Sequence, residues 1–425
     1  MTTRRHALRT FGAVALGTGV LGTVGACGSG SDASGGTADG PVTLVLSNSQ
    51  WLDALRGEKL WAAVKKFEDS HPDITLEQEA IASADYTSKI TTEMGAGQGP
   101  DIVIAQEALF YQLADAGLLV EVDDEVTDGV ELNTTADNGV LDDVRYGIAW
   151  QRAVYAMIYD KTLVDRAGAA VPTTVEELIA SAQGVQAATG AVGFTGRHLI
   201  ADFSGWMMDF QNWAYGHGVE WVDADGELTI DTPEAAAAFA AFKSVYDAAV
   251  MPIGDDMPTQ RNRFKEGQVG FSIDNSGGTL NIGNGGALQA AELYSAPLPF
   301  QNPGAHQQIY LGISTHSEHA AAANTFLTWL LSEEGQQSLR LASGPDALAT
   351  DVPVDPDFAA ANPWAPTFAD LAANSRSTLI PGYEASTDQI MRPVMEALER
   401  VLVSGADPAT ELAVAQSEVD ALNLS

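Results

Sequence analysis

Apolar positions along this chain follow two alternating rhythms. Val42-Thr43-Leu44-Val45-Leu46 is a short, nearly continuous apolar run, the pattern of a strand buried on both faces. From Glu58 to Asp69, Leu60, Trp61, Val64 and Phe67 recur at helical spacing, and Pro72 blocks continuation. Ile74-Thr75-Leu76 resumes extended structure, Tyr86 to Met94 predicts a helix, the glycine-rich run to Pro100 breaks it, and Asp101 to Ala105 predicts another strand. Strands are likewise predicted at Ala191–Phe194 and Val269–Ile273, and helices at Gly205–Trp213, Thr387–Val403 and Thr410–Leu424, with Ser317 placed to cap a helix starting near Ala320. Strands that alternate with helices of crossover length predict an α/β architecture with mostly parallel pairing.

The N-terminus breaks this pattern. Basic residues from Arg4 to Arg9 precede an uncharged run from Phe11 to Val24, a signal-peptide layout too short for the roughly 20 residues of a spanning helix. Val24-Gly25-Ala26-Cys27 resembles a bacterial lipobox, which implies cleavage before Cys27 and lipid on its sulfur; Thr3-Arg4-Arg5 resembles a twin-arginine export signal, with Ala7 where Phe is usual. Residues 1–26 are therefore expected to be removed. Residues 27–40 lack large apolar side chains and are expected to act as a flexible tether.

Charge narrows the partners. With 21 basic residues against 57 acidic ones, the net charge of −36 repels nucleic acid and anionic lipid, leaving the lipid anchor as the expected membrane contact. A single cysteine allows neither a disulfide framework nor a thiolate metal site. The glycine pattern Gly17 to Gly22 lies inside the export signal, Gly270-Phe271-Ser272-Ile273-Asp274 lacks the second glycine of a nucleophile elbow, and His316 and His319 lack helical zinc spacing. No catalytic residue, metal or cofactor is expected. A glycoside hydrolase, the main rival class, would need two carboxyl groups about 5 to 9 Å apart, and no local motif nominates such a pair.

Six segments in order carry a resemblance to a known family. They are Tyr86 to Asp101; Leu113-Ala114-Asp115-Ala116-Gly117-Leu118-Leu119; Tyr146-Gly147-Ile148 with Tyr159-Asp160-Lys161; Pro172 to Leu178; Phe264 to Phe271; and Gly312-Ile313-Ser314 with the run from Ala320 to Gln337. Together they resemble the extracellular solute-binding family that includes the maltose-binding protein. The resemblance implies a two-lobed, type II periplasmic-binding-protein-like α/β fold with hinge strands and a central cleft. Lobe one is expected at 41–149 plus 303–350, lobe two at 150–302 plus 351–425. It also implies a monomer that captures a small solute, foremost a sugar, and delivers it to the permease subunits of an ABC importer. A peptide, polyamine or anionic glycoside remains open as the solute. Ala149, Asp160 and Val175 depart from the family pattern, and Asp274 to Gly278 stands where many relatives carry Trp, so an aromatic wall from that loop is in doubt.

Open α/β sheets place ligands at the carboxyl ends of their strands, and sugars call for aromatic platforms together with amides and carboxylates. Candidate ligand contacts are accordingly Asn48, Gln50 and Trp51 after the first strand, Gln106 and Glu107 after the strand at 101–105, and Trp150 where the chain enters the hinge. In the second lobe they are Arg197, Trp206 and Asp209, then Asp274 and Asn275, with Tyr310 and Trp364 as weaker candidates. Arg197 could clamp an anionic ligand or serve as a hinge ion pair.

Overall fold

The structure, a computed structural model, describes residues 40–136 and 139–424. The export segment, Cys27 and the tether up to residue 39 lie outside the described residues.

The first buried run forms β1 (Val42–Asn48), which pairs in parallel with β2 (Ile74–Ala80) and β3 (Ile102–Gln106). A small hairpin of β4 (Val140–Leu141) and β5 (Val144–Arg145) then leads into a long strand, β6 (Gly147–Asp160). Beyond it come β7 (Val192–Thr195), β8 (Val269–Asn275), β9 (Leu293–Ala296), β10 (Ala305–Ile313) and β11 (Arg376–Ser377). The sheet path runs β2-β1-β3-β10-β6-β8-β7, with β9 on β6 and β11 on β10.

β6 is shared. Its first half, Gly147 to Val154, pairs antiparallel with β10, whose other edge joins β3. Its second half, from Tyr155 onward, pairs with β8 and β9. One continuous strand thus crosses from one lobe to the other, with a register shift in β10 between Ile309 and Tyr310 beside the crossing.

Each lobe buries its own apolar stripes. Leu44, Leu46 and Phe67 pack with Phe326, Leu330 and Leu348 on one face of the first sheet, while Ile90, Phe110 and Tyr310 fill the other. In the second lobe Trp206, Phe210 and Phe239 pack with Val394 and Leu398 of the late helix Thr387–Ser404, and Trp364 and Phe368 pack against Val154 and Ile158 of β6. The last helix is Pro408–Asp420. The predicted helix at 58–69 is split into Gly57–Lys65 and Phe67–Ser70. Ser317 does not cap the next helix: its hydroxyl donates to Asp101 Oδ1 at 2.5 Å and accepts from the His319 N–H, and Ala320–Leu331 starts after His319 without a side-chain cap. The Asp101 carboxylate fixes the hydroxyl proton, and the backbone N–H that reaches the oxygen is that of His319, ahead of the helix.

Gly147 marks where the hinge strands crowd. A Cβ there would stand 2.5 Å from both the Leu311 carbonyl oxygen and the Phe110 ring, so any side chain must push β6 from β10. Gly147→Val is expected to lower the thermal midpoint in line with an overpacking cost of about 1 to 3 kcal/mol; an unchanged melting curve would show that the strands tolerate separation.

Candidate functional site

Between the lobes lies a cavity of about 470 Å³. Its floor is the hinge itself: strand alternation turns Gln151 and Ala153 of β6, and Gln307 and Ile309 of β10, to one face, and all four line the cavity. Asn48 and Gln50 enter from the end of β1, Gln106 from the end of β3, and Asn275 from the end of β8. Six amide side chains therefore converge from the carboxyl ends of three strands and from the hinge. Ile104, Leu109 and Ile309 supply the apolar wall, and Tyr86 is the wall's aromatic ring.

Hydrogen bonds preset most of these amides. Asn48 Oδ1 accepts from the Gln50 N–H at 2.9 Å and so starts the 3-10 turn Ser49–Leu52. The Gln50 amide donates to Gln151 Oε1 at 3.0 Å and accepts from the Trp150 indole N–H at 2.7 Å. Gln151 in turn donates to Ser343 Oγ at 2.6 Å, and Gln307 donates to the Tyr155 hydroxyl at 2.6 Å. Asn275 Oδ1 accepts from the Gly278 N–H. Gln106, at the exposed end of β3, makes no side-chain hydrogen bond within the described protein.

The wall carries three charged side chains, Asp53, Arg56 and Asp346, and they are paired with one another. Arg56 donates to Asp53 Oδ2 at 3.2 Å and to Asp346 Oδ2 at 3.0 Å, and Ser276 of the second lobe donates to the other Asp346 oxygen. Burial would depress the Arg56 pKa, but the two carboxylates outweigh it and raise it.

Of the residues expected from sequence, Asn48, Gln50, Gln106 and Asn275 line this cavity. The aromatic candidates do not. Trp51 is buried, donating its indole N–H to the Leu46 carbonyl and standing edge-on to Trp61 and Trp150. Trp150 is fully buried, and its polar edge reaches the cleft only through Gln50. Trp206 packs beside Phe242, Trp364 between Phe358 and Phe368, and Tyr310 against Phe110, all inside apolar clusters. The apolar area of a large ring is satisfied equally by a core and by a sugar face, and here the cores take it.

The charged candidates also lie off the wall: Arg197, Asp209 and Asp274 are held in ion pairs, and Glu107 is held by hydroxyls. Arg197 donates to Asp209 at 3.1 Å and to the Gly205 carbonyl, and pairs with Asp202. Asp274 receives a two-pronged contact from Arg261 at 2.8 and 2.6 Å. Burial pushes the Asp209 carboxyl up to about 6 although Arg197 opposes it. Glu107 opens the helix Glu107–Asp115, yet its carboxyl turns to the end of β11, accepting from Ser377 at 2.8 Å and Thr378 at 2.6 Å. Gln151, Gln307, Arg56 and Asp346 were not anticipated from sequence. Alternation along the hinge strands would have indicated the two glutamines, whereas the Arg56–Asp346 contact joins residues far apart in the chain and has no local signal.

The pattern that defines the bacterial extracellular solute-binding protein family matches residues 53–337, and the chain belongs to that family. A Brucella abortus sequence named as a binding protein is 29% identical over 219 residues, which cover 49% of this chain and 52% of the relative, so the chain spans about half the length of the curated relatives it matches. Among solved structures, the GacH receptor of Streptomyces glaucescens, determined unliganded and with acarbose, superposes with a TM-score of 0.77 at 20% identity, covering 90% of this chain and 97% of that one. Maltose-bound MalE3 of T. maritima gives 0.76 at 20% identity over 90% and 100%. At that identity the likeness shows the fold: two-lobed, type II periplasmic binding protein.

Burial, opposed by the hydroxyls of Ser377 and Thr378, raises the Glu107 carboxyl from 4.5 to about 7. Between these values the folded chain holds a proton that the unfolded chain has released, so this contribution to stability is full below about pH 4.5 and is lost as pH rises through 7. Glu107→Gln should therefore flatten the pH dependence, gaining on the parent by up to a few kcal/mol near pH 8 relative to pH 5. Thermal melts across this range check it; parallel curves for both proteins would refute the shift.

Proposed function

We propose that this chain is the extracytoplasmic substrate-binding lipoprotein of an ABC importer, capturing an uncharged carbohydrate in the interlobe cleft and delivering it to the membrane permease. The observation that carries the reading is the convergence of six amides on a cavity whose charges, among the described residues, are already paired. A sugar hydroxyl both donates and accepts, and so does an amide, so each contact can be satisfied in either direction. Ile104, Leu109 and Ile309 suit the C–H faces of a pyranose or polyol chain. An anionic ligand would meet two carboxylates around one engaged guanidinium, in a chain of net charge −36. A polyamine would find those carboxylates already occupied.

In this reading Asn48, Gln50, Gln106, Gln151, Asn275 and Gln307 contact the ligand, while Trp150 and Tyr155 position Gln50 and Gln307. The maltose and acarbose named with the solved relatives support a carbohydrate. The protein acts as a monomer without cofactor, held at the membrane by lipid on Cys27.

A thermal-shift screen tests the ligand class. Neutral sugars and sugar alcohols should stabilise the protein, by about 2.7 kcal/mol at 100 times the dissociation constant. Gln106→Ala and Gln307→Ala should each weaken the best ligand by about 1 kcal/mol, or roughly fivefold. Stabilisation confined to sugar acids, peptides or polyamines would overturn the assignment. Separately, Cys27→Ser should move the mature protein from the membrane to the soluble fraction; retention at the membrane would refute the anchor.

A further inference from the structure

A second cavity, of about 390 Å³, lies beside the cleft and is built of different chemistry. Arg56 and Lys59 border it from the start of the helix Gly57–Lys65, Arg340 from the helix Glu333–Ser343, and Leu280 and Phe358 close it with apolar surface. Arg340 is only 6% exposed. Its Nε donates to the Val352 carbonyl at 3.1 Å, and one terminal nitrogen donates to the carbonyls of Gly344 and Asp346, both at 2.8 Å. Among the described residues no carboxylate forms an ion pair with it, and its second terminal nitrogen has no partner. Burial lowers its pKa to about 10, which leaves it a cation at neutral pH.

The Asp346 carboxylate supports this guanidinium only through its charge, being bonded instead to Arg56 and Ser276, so much of the buried positive charge stays uncompensated. Lys59, exposed at the rim, also lacks an ion-pair partner among the described residues. Arg56 is answered by Asp53 and Asp346. Among the described residues the acid in the wall is Asp355, engaged as a helix cap and accepting from the Phe358 N–H at 2.8 Å. Arg340 also borders a neighbouring cavity, but the other charged residue there is Asp351, so the excess of positive charge faces the side shared with Lys59. Such a focus stands out in a chain of net charge −36.

We propose that this cavity binds one small oxyanion, of phosphate or carboxylate type, through Arg340 and Lys59. Free inorganic anion and the anionic group of a small organic molecule share that chemistry; the latter would add contact with Leu280 and Phe358. The wall draws on the helix Ser276–Ile282, through Leu280, as well as on Gly57–Lys65.

The experiment is a calorimetric titration at constant ionic strength with inorganic phosphate, with phenyl phosphate as a second arm and chloride as the bulk-salt control. Saturable binding is expected for the phosphates and not for chloride, weakened about tenfold or more in Arg340→Met and several-fold in Lys59→Met. Tighter binding of phenyl phosphate identifies an organic anion as the occupant, equal binding a free one. Should Arg340→Met fail to fold, Lys59→Met decides alone, because an exposed side chain can be replaced without disturbing the core. Absence of saturable binding, or binding unchanged in the folded variants, overturns the site.

Discussion

A strand that belongs to two sheets cannot slip in one without slipping in the other. β6 pairs with β10 along its first half and with β8 and β9 along its second. A one-residue shift would turn Gln151 and Ala153 away from the cleft and drive Arg152 into it. The register held by both cores therefore sets the floor of the binding cavity. The close approach at Gly147 belongs to the same constraint, since the backbone of β10 and the ring of Phe110 leave no room for a side chain there.

From that floor outward the molecule separates charge from polarity. Ionised groups near the cleft are consumed in pairs: Arg197 with Asp209, Arg261 with Asp274, Arg56 with Asp53 and Asp346. Neutral amides are left to face the cavity, where they need no counter-ion when empty and lose little when a hydroxyl replaces water. Glu107 is the costly case, a carboxyl held in the interior by the hydroxyls of Thr378 and Ser377, the charge of Arg152 and the backbone of Gln308.

The sequence made the architecture legible because the α/β rhythm is local. Apolar runs at 42–46 and 269–273 and the amphipathic stretch at 387–403 need no knowledge of the rest of the chain. The polar part of the site was legible for a related reason: residues at the carboxyl end of a strand, such as Asn48, Gln106 and Asn275, face the cleft by the geometry of the sheet. The tryptophans were not, because position after a strand does not say whether a ring turns outward or inward. Trp150 follows a strand entrance and still points into the core, with only its N–H directed at Gln50. Arg56 and Asp346 meet only in the folded chain, and no spacing rule could have joined them.

The order in which the chain visits its two cores bears on how it folds. The first lobe begins at Val42 but lacks its central strand until β10 and the packing of Leu330 and Leu348 arrive late in the chain. The second is lined by Val394, Leu398 and Val419, close to the C-terminus. Neither core can close on a nascent segment, and most of the favourable burial waits on contacts of large sequence separation, which makes folding slow and nearly all-or-none in chain length. A partly synthesised chain of this design has closed neither core, and its apolar stripes wait for the residues that will cover them.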